Sequence, residues 1–136
     1  MTNTTESISN KSQELSTSEK DWLTICNIED ITKNTGVCAD FNGKQVAIFH
    51  MKRANDNDAT NGGSEVKAVC NLDPFAKANV LSRGLITEKD NKYFVASPLL
   101  KQEFCLETGQ CQQDESVAIS TYKARINAGL VQLMEA

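Results

Sequence analysis

Val37-Cys38-Ala39-Asp40-Phe41-Asn42-Gly43-Lys44-Gln45-Val46-Ala47-Ile48-Phe49-His50-Met51 holds two apolar runs on either side of an Asn-Gly pair. A type I′ turn needs positive φ at both central residues, and Asn and Gly adopt it at low cost. The segment predicts a β-hairpin, Val37 to Phe41 against Lys44 to Met51. Outward from this hairpin the same kind of pattern repeats. Trp22 to Cys26 is a strand candidate upstream. Downstream, Glu65 to Cys70 alternates, with Val66, Ala68 and Cys70 on one face. Tyr93 to Ser97 is another strand. Tyr122 to Asn127 sets Tyr122, Ala124 and Ile126 inward and Lys123, Arg125 and Asn127 outward. Ala128-Gly129 turns that strand, and Leu130 to Leu133 returns. Ser116 to Ser120 is a short strand or a turn. No long 3.6-residue period occurs; only Asp73 to Leu81, after the break at Pro74, offers a helical turn. Many short strands separated by turns predict an all-β fold, its antiparallel sheets forming a sandwich or barrel.

Composition agrees with one domain. The chain has 136 residues, of which 40% are hydrophobic and 24% charged. Its net charge of −4 leaves no basic footprint, which argues against nucleic acid as a partner. No apolar run approaches the ~20 residues that span a bilayer. Residues 1–20 contain nine Ser or Thr and no apolar leader-like run. They read as a disordered tail rather than a secretory signal, with a short capped turn over Ser16 to Lys20 as the competing reading. Residues 21–136 then form the β domain, and the location expected is cytoplasmic. Ala54 to Ser64, rich in Asn, Asp and Gly, reads as a long surface loop.

The candidate chemical groups are few. Within that loop, Asp56-Asn57-Asp58-Ala59-Thr60-Asn61-Gly62 is acidic. An EF-hand loop wants Gly at its sixth position and Glu at its twelfth. Counted from Asp56, those places hold Asn61 and Lys67, so a solvated loop is the better reading. His50 is the one histidine. It reads as a surface or half-buried strand residue, since no nucleophile or substrate group can be named beside it. The five cysteines are Cys26, Cys38, Cys70, Cys105 and Cys111. An odd count with no C-x-x-C pair argues against a disulfide framework and the common zinc spacings. Cys105 and Cys111 flank a turn at Thr108-Gly109 and read as small packing residues of a bent hairpin.

Two segments say more. One runs Cys70-Asn71-Leu72-Asp73-Pro74-Phe75 and on through Val80-Leu81-Ser82-Arg83-Gly84-Leu85. The other runs Ser97-Pro98-Leu99-Leu100-Lys101-Gln102-Glu103-Phe104 and on to Thr108-Gly109. Their order and spacing are similar to the two loops of a Rieske domain, which hold a [2Fe–2S] cluster through C-x-H and C-P-x-H. Cys70-Asn71-Leu72 stands where the first motif would be, and Ser97-Pro98-Leu99-Leu100 where the second would be. Taken together, about Asp21 to Leu133 resembles the small subunit of assimilatory NAD(P)H-dependent nitrite reductase. The loop over Ala54 to Ser64 is longer than that family's pattern.

A Rieske centre takes two Cys on one iron and two His on the other. Of the four ligand places, only Cys70 keeps a suitable side chain; Leu72 and Leu100 cannot donate, and Ser97 is a poor thiolate substitute. The resemblance therefore implies a Rieske-like fold without its cluster, and no cofactor, metal or catalytic residue on this chain. It implies a large catalytic subunit as partner, carrying FAD, siroheme and [4Fe–4S] and reducing nitrite to ammonium. The two former cluster loops would dock on that subunit, with Leu72, Phe75, Leu99 and Leu100 as an apolar patch and Asp73, Arg83 and Lys101 as its polar rim. In the competing reading, Leu72 and Leu100 only plug the vacated site. Alternatives for the whole chain are a Rieske-type electron carrier, a stand-alone protein-binding domain, and an enzyme using Cys70 or Cys105 as nucleophile.

Overall fold

A computed structural model describes residues 21–52 and 63–135. The tail expected over residues 1–20 lies outside the described residues. So does the loop expected over Ala54 to Ser64, except for its last two residues, and Ser64 already belongs to a strand.

The described chain forms eleven strands: β1 (Leu23–Asn27), β2 (Thr35–Phe41), β3 (Lys44–Lys52), β4 (Ser64–Cys70), β5 (Leu72–Asp73), β6 (Ala78–Asn79), β7 (Leu85–Lys89), β8 (Lys92–Ala96), β9 (Glu103–Cys105), β10 (Thr121–Asn127) and β11 (Leu130–Met134). Six of them build one antiparallel sheet in the order β1-β11-β10-β4-β3-β2. A second sheet, β7-β8-β9, and the two-residue ribbon β5-β6 complete the fold. The expected hairpin is β2-β3, with Phe41 opposite Lys44 across Asn42-Gly43. Asn42 at φ 53° and Gly43 at φ 84° give the turn its left-handed corner.

The six-stranded sheet curls around one core, formed by Ile31, Phe41, Val46, Ile48, Val66, Ala68, Val131 and Leu133. Tyr122, Ala124 and Ile126 pack on this core, as the alternation of β10 predicts. A second core joins the two sheets through Ala47, Phe49, Met51, Val69, Leu81, Val95, Phe104, Leu106, Cys111 and Ile119. β3 feeds both, with Val46 and Ile48 on one side and Ala47, Phe49 and Met51 on the other. Its near-continuous apolar run is the mark of a strand covered on both faces.

Several expectations change. The first strand begins at Leu23, one residue later than read from sequence, and Trp22 lies beneath the Arg125 guanidinium at 4.3 Å. Cys70 does not share the core of Val66 and Ala68; it packs against the second core, beside Val69. No helix forms over Asp73 to Leu81. A tight turn at residues 74–77 instead joins β5 to β6, and a 3₁₀ turn follows at Leu81–Arg83. The Asp73 carboxylate caps this turn as it would cap a helix, but Lys77 at φ 58° ends it after one cycle, its N–H donating to the Asp73 carbonyl at 2.7 Å. Ser116 to Ser120 adds no strand: a turn at residues 115–116 leads into a segment that bridges Gln110 at Ala118 and is held by the Cys111, Ile119 and Cys70 N–H groups, donating to the Val117, Gly109 and Ser120 carbonyls. Cys105 and Cys111 are buried in the bent hairpin, as expected.

Candidate functional site

The two loops that resemble cluster loops meet at one end of the molecule. The first runs from Asn71 to Gly84 and the second from Ser97 to Gln102. Their junction is Asp73, whose side chain and backbone are fully buried. Its Oδ1 accepts from the N–H groups of Phe75 at 2.8 Å and Ala76 at 3.2 Å. Its Oδ2 accepts from the Ser97 hydroxyl at 2.5 Å. A charge-assisted hydrogen bond thus ties one loop to the other, in a place shielded from water.

Both loops are built around such polar hubs. Asn71, also buried, accepts from the Ser82 N–H through Oδ1 at 2.7 Å and donates through Nδ2 to the Gln45 Oε1 at 3.3 Å. Its carbonyl receives the Leu81 N–H at 3.1 Å. Ser97 donates its N–H to the Gln102 carbonyl at 2.9 Å and accepts the Lys101 N–H at 3.1 Å. Every buried polar group of Asp73 and Ser97 named here has a partner, which is what burial demands.

This arrangement corrects the expected rim and the expected plug. Asp73 faces inward and contributes no rim charge. Phe75 is half-buried, its ring 6.2 Å from that of Phe104 and packed on the second core. Leu72 and Leu100 do not plug anything: they are 40% and 49% exposed, and Leu99 is 53% exposed. Leu85, missed as a site residue in the sequence, is 71% exposed and pairs with Ala96 at the root of the second loop. Leu23 aside, these four leucines are the exposed large apolar residues among those described. Arg83, Lys101 and Lys77 are exposed.

The donor set does not fit a [2Fe–2S] cluster. Two ligand places hold outward leucines, and the third holds a serine whose hydroxyl is committed to Asp73. Cys70 alone remains, half-buried on the second core. A lone thiolate cannot hold two irons, and no group of three His, Cys, Asp or Glu side chains converges among the described residues.

The other candidates are structural. His50 is buried, not half-exposed. Its Nδ1 donates to the Ile31 carbonyl at 2.6 Å, so its Nε2 accepts from the Ser64 hydroxyl at 2.7 Å. Burial pushes the Cys105 thiol up, but hydrogen bonds from Thr108 and from the backbone at Thr108 and Glu107 outweigh it and leave the pKa below the usual thiol value. Those partners are donors on its own turn, with no general base among them. A groove of about 500 Å³ runs beside Trp22, Lys67, Glu107 and Tyr122, away from the two loops. Its Lys67 lies between Glu65 at 3.5 Å and Glu107 at 4.0 Å.

The pattern described as a Rieske-like [2Fe-2S] domain matches residues 21–134. The nitrite reductase (NADH) small subunit of Salmonella typhimurium is 46% identical over 112 residues, covering 82% of this chain and 95% of its own. The chain belongs to the nitrite reductase small-subunit family. Within that family, the crystal structure of the small subunit described as that of an NADH-dependent nitrite reductase from Mycobacterium tuberculosis superposes with a TM-score of 0.72. It is 35% identical, over 85% of this chain and 95% of that one. A further relative is not a small subunit. The nitrite reductase [NAD(P)H] large subunit of Klebsiella oxytoca contains a stretch 33% identical over 111 residues, 81% of this chain but 10% of that one.

Proposed function

We propose that this chain is the cluster-free accessory subunit of an NADH-dependent nitrite reductase and docks through its two-loop tip on the large catalytic subunit. The observation that carries the partnership is the Klebsiella relative, in which a stretch like this chain is part of the large subunit itself. A domain covalently joined in one protein and separate in another is expected to sit in the same place, because the link only supplies effective concentration. The exposed leucines at the tip support the choice of surface, since clustered apolar side chains on a small domain mark a contact. In this reading the large subunit carries the redox groups, FAD, siroheme and [4Fe–4S], and reduces nitrite to ammonium in the cytoplasm, where NADH is available. The small subunit holds the assembly in its working arrangement and takes no electron.

Size exclusion of the chain mixed with the large subunit tests this, with visible absorbance read in the same run. Co-elution, and no iron in the small subunit purified alone, is the expected result. Separate elution of the two chains removes the reading. Iron at two atoms per small chain would favour the electron-carrier alternative instead.

A further inference from the structure

The water-facing charges of the two loops all have one sign, and Glu103, just past the second loop, is paired with Lys89. Across residues 71–84 and 97–102 the ionisable side chains are Asp73, Lys77, Arg83 and Lys101. Asp73 is buried against Ser97, so only the three cations face water. The neighbouring β2-β3 turn adds Asp40 and Lys44, which offset each other. A chain of net charge −4 thus presents a positive end.

The backbone supplies a second, independent observation. Seven residues other than glycine have positive φ among those described. Four are Asn or Asp, the types that adopt this conformation readily, and Ala128 precedes Gly129 in its turn. The remaining two are Lys77 at φ 58° and Lys101 at φ 70°, one in each loop of the tip. Glycine would fit either corner with less strain. A long charged side chain on a strained corner, twice at one surface, points to a role for the side chain itself.

We propose that the tip is a leucine patch ringed by Lys77, Arg83 and Lys101 and shaped for an apolar surface edged with carboxylates. On the docking reading above, on which this rests, the large subunit presents Asp and Glu side chains around an apolar seat. The cations steer the encounter and fix its register, and the leucines hold the contact.

The test uses the full chain and the intact large subunit, with the Kd measured at 50 and 300 mM NaCl. Lys77→Gly/Lys101→Gly keeps the loop corners and removes two charges. The expected result is binding weaker by about three- to tenfold at low salt, a smaller salt dependence than the parent, and an unchanged or higher Tm. Leu99→Ser/Leu100→Ser is the companion variant and should weaken binding at both salt concentrations. If the glycine variant binds like the parent with the same salt dependence, while the leucine variant is weakened, the carboxylate-edged seat is wrong and tip docking stands. If both variants bind like the parent, or the parent does not bind, tip docking and this inference fail together.

Discussion

Replacing Ser97 with alanine removes one hydroxyl and opens the bond between the loops. That hydroxyl is buried and donates at 2.5 Å to a buried carboxylate. It also accepts the Leu99 N–H at 3.3 Å, a weaker contact. A hydrogen bond to a charged group contributes about 1.5–3 kcal/mol, and the Asp73 Oδ2 left behind has no solvent to replace it. The expected cost is about 2–3 kcal/mol, which for a domain near this size lowers Tm by about 8–12 °C. Asp73→Asn should cost less, because an amide still accepts from the Phe75 and Ala76 N–H groups and can donate to Ser97. Equilibrium urea unfolding, followed by circular dichroism, measures both. Hydrogen exchange at Lys101, whose N–H is bonded to the Ser97 carbonyl, reports whether the second loop loosens. A Ser97→Ala variant within about 0.5 kcal/mol of the parent would show that the two loops are held by something other than this bond.

Three further outcomes follow from the geometry. His50→Ala leaves the Ile31 carbonyl and the Ser64 hydroxyl without their buried partner and should cost about 3 kcal/mol, read as a lower urea midpoint. Gly109→Ala drives a Cβ into the Ile119 carbonyl at a corner of φ 82°, so a loss above about 4 kcal/mol or failure to accumulate as folded protein is expected. The hydrogen bond from Lys89 at 2.9 Å holds Glu103 below the usual carboxylate range, with Gln113 assisting against a raising effect of burial. A carboxylate with a lowered folded pKa stabilises fully above its unfolded value near about 4.3 and loses that contribution as pH falls through the folded value. Because the Lys89 side chain is half-exposed, the effect is under about 1 kcal/mol. Glu103→Gln should flatten the acid limb of a stability profile taken below about pH 5, and an unchanged limb would contradict the assignment.

What could be read from the sequence was whatever depends on near neighbours. The Asn42-Gly43 hairpin and the alternation of β10 are local facts, and they appear where the residues put them. The order of the two loops was legible too, because motifs along a chain survive even when ligands are lost. Asp73 was misread because an aspartate beside Pro74 looks like a surface turn residue. Its burial depends on Ser97, 24 positions away, and nothing local announces that partner. His50 fails for the same reason, since its two partners lie 19 and 14 positions off. Leu85 was read only as the last residue of the first loop's motif. Only its pairing with Ala96 sets it at the root of the second loop.

The double-sided burial of β3 bears on how the molecule comes apart. Val46 and Ile48 belong to one core, while Ala47, Phe49 and Met51 belong to the other. Neither core can dissolve without stripping one face of the same strand, and a half-stripped strand has little reason to stay in place. The lobe that carries the tip and the lobe that carries β1 and β11 therefore open as one cooperative unit. A partner that grips only the tip would, by that connection, lend protection to amides at the far end of the sheet that it never touches.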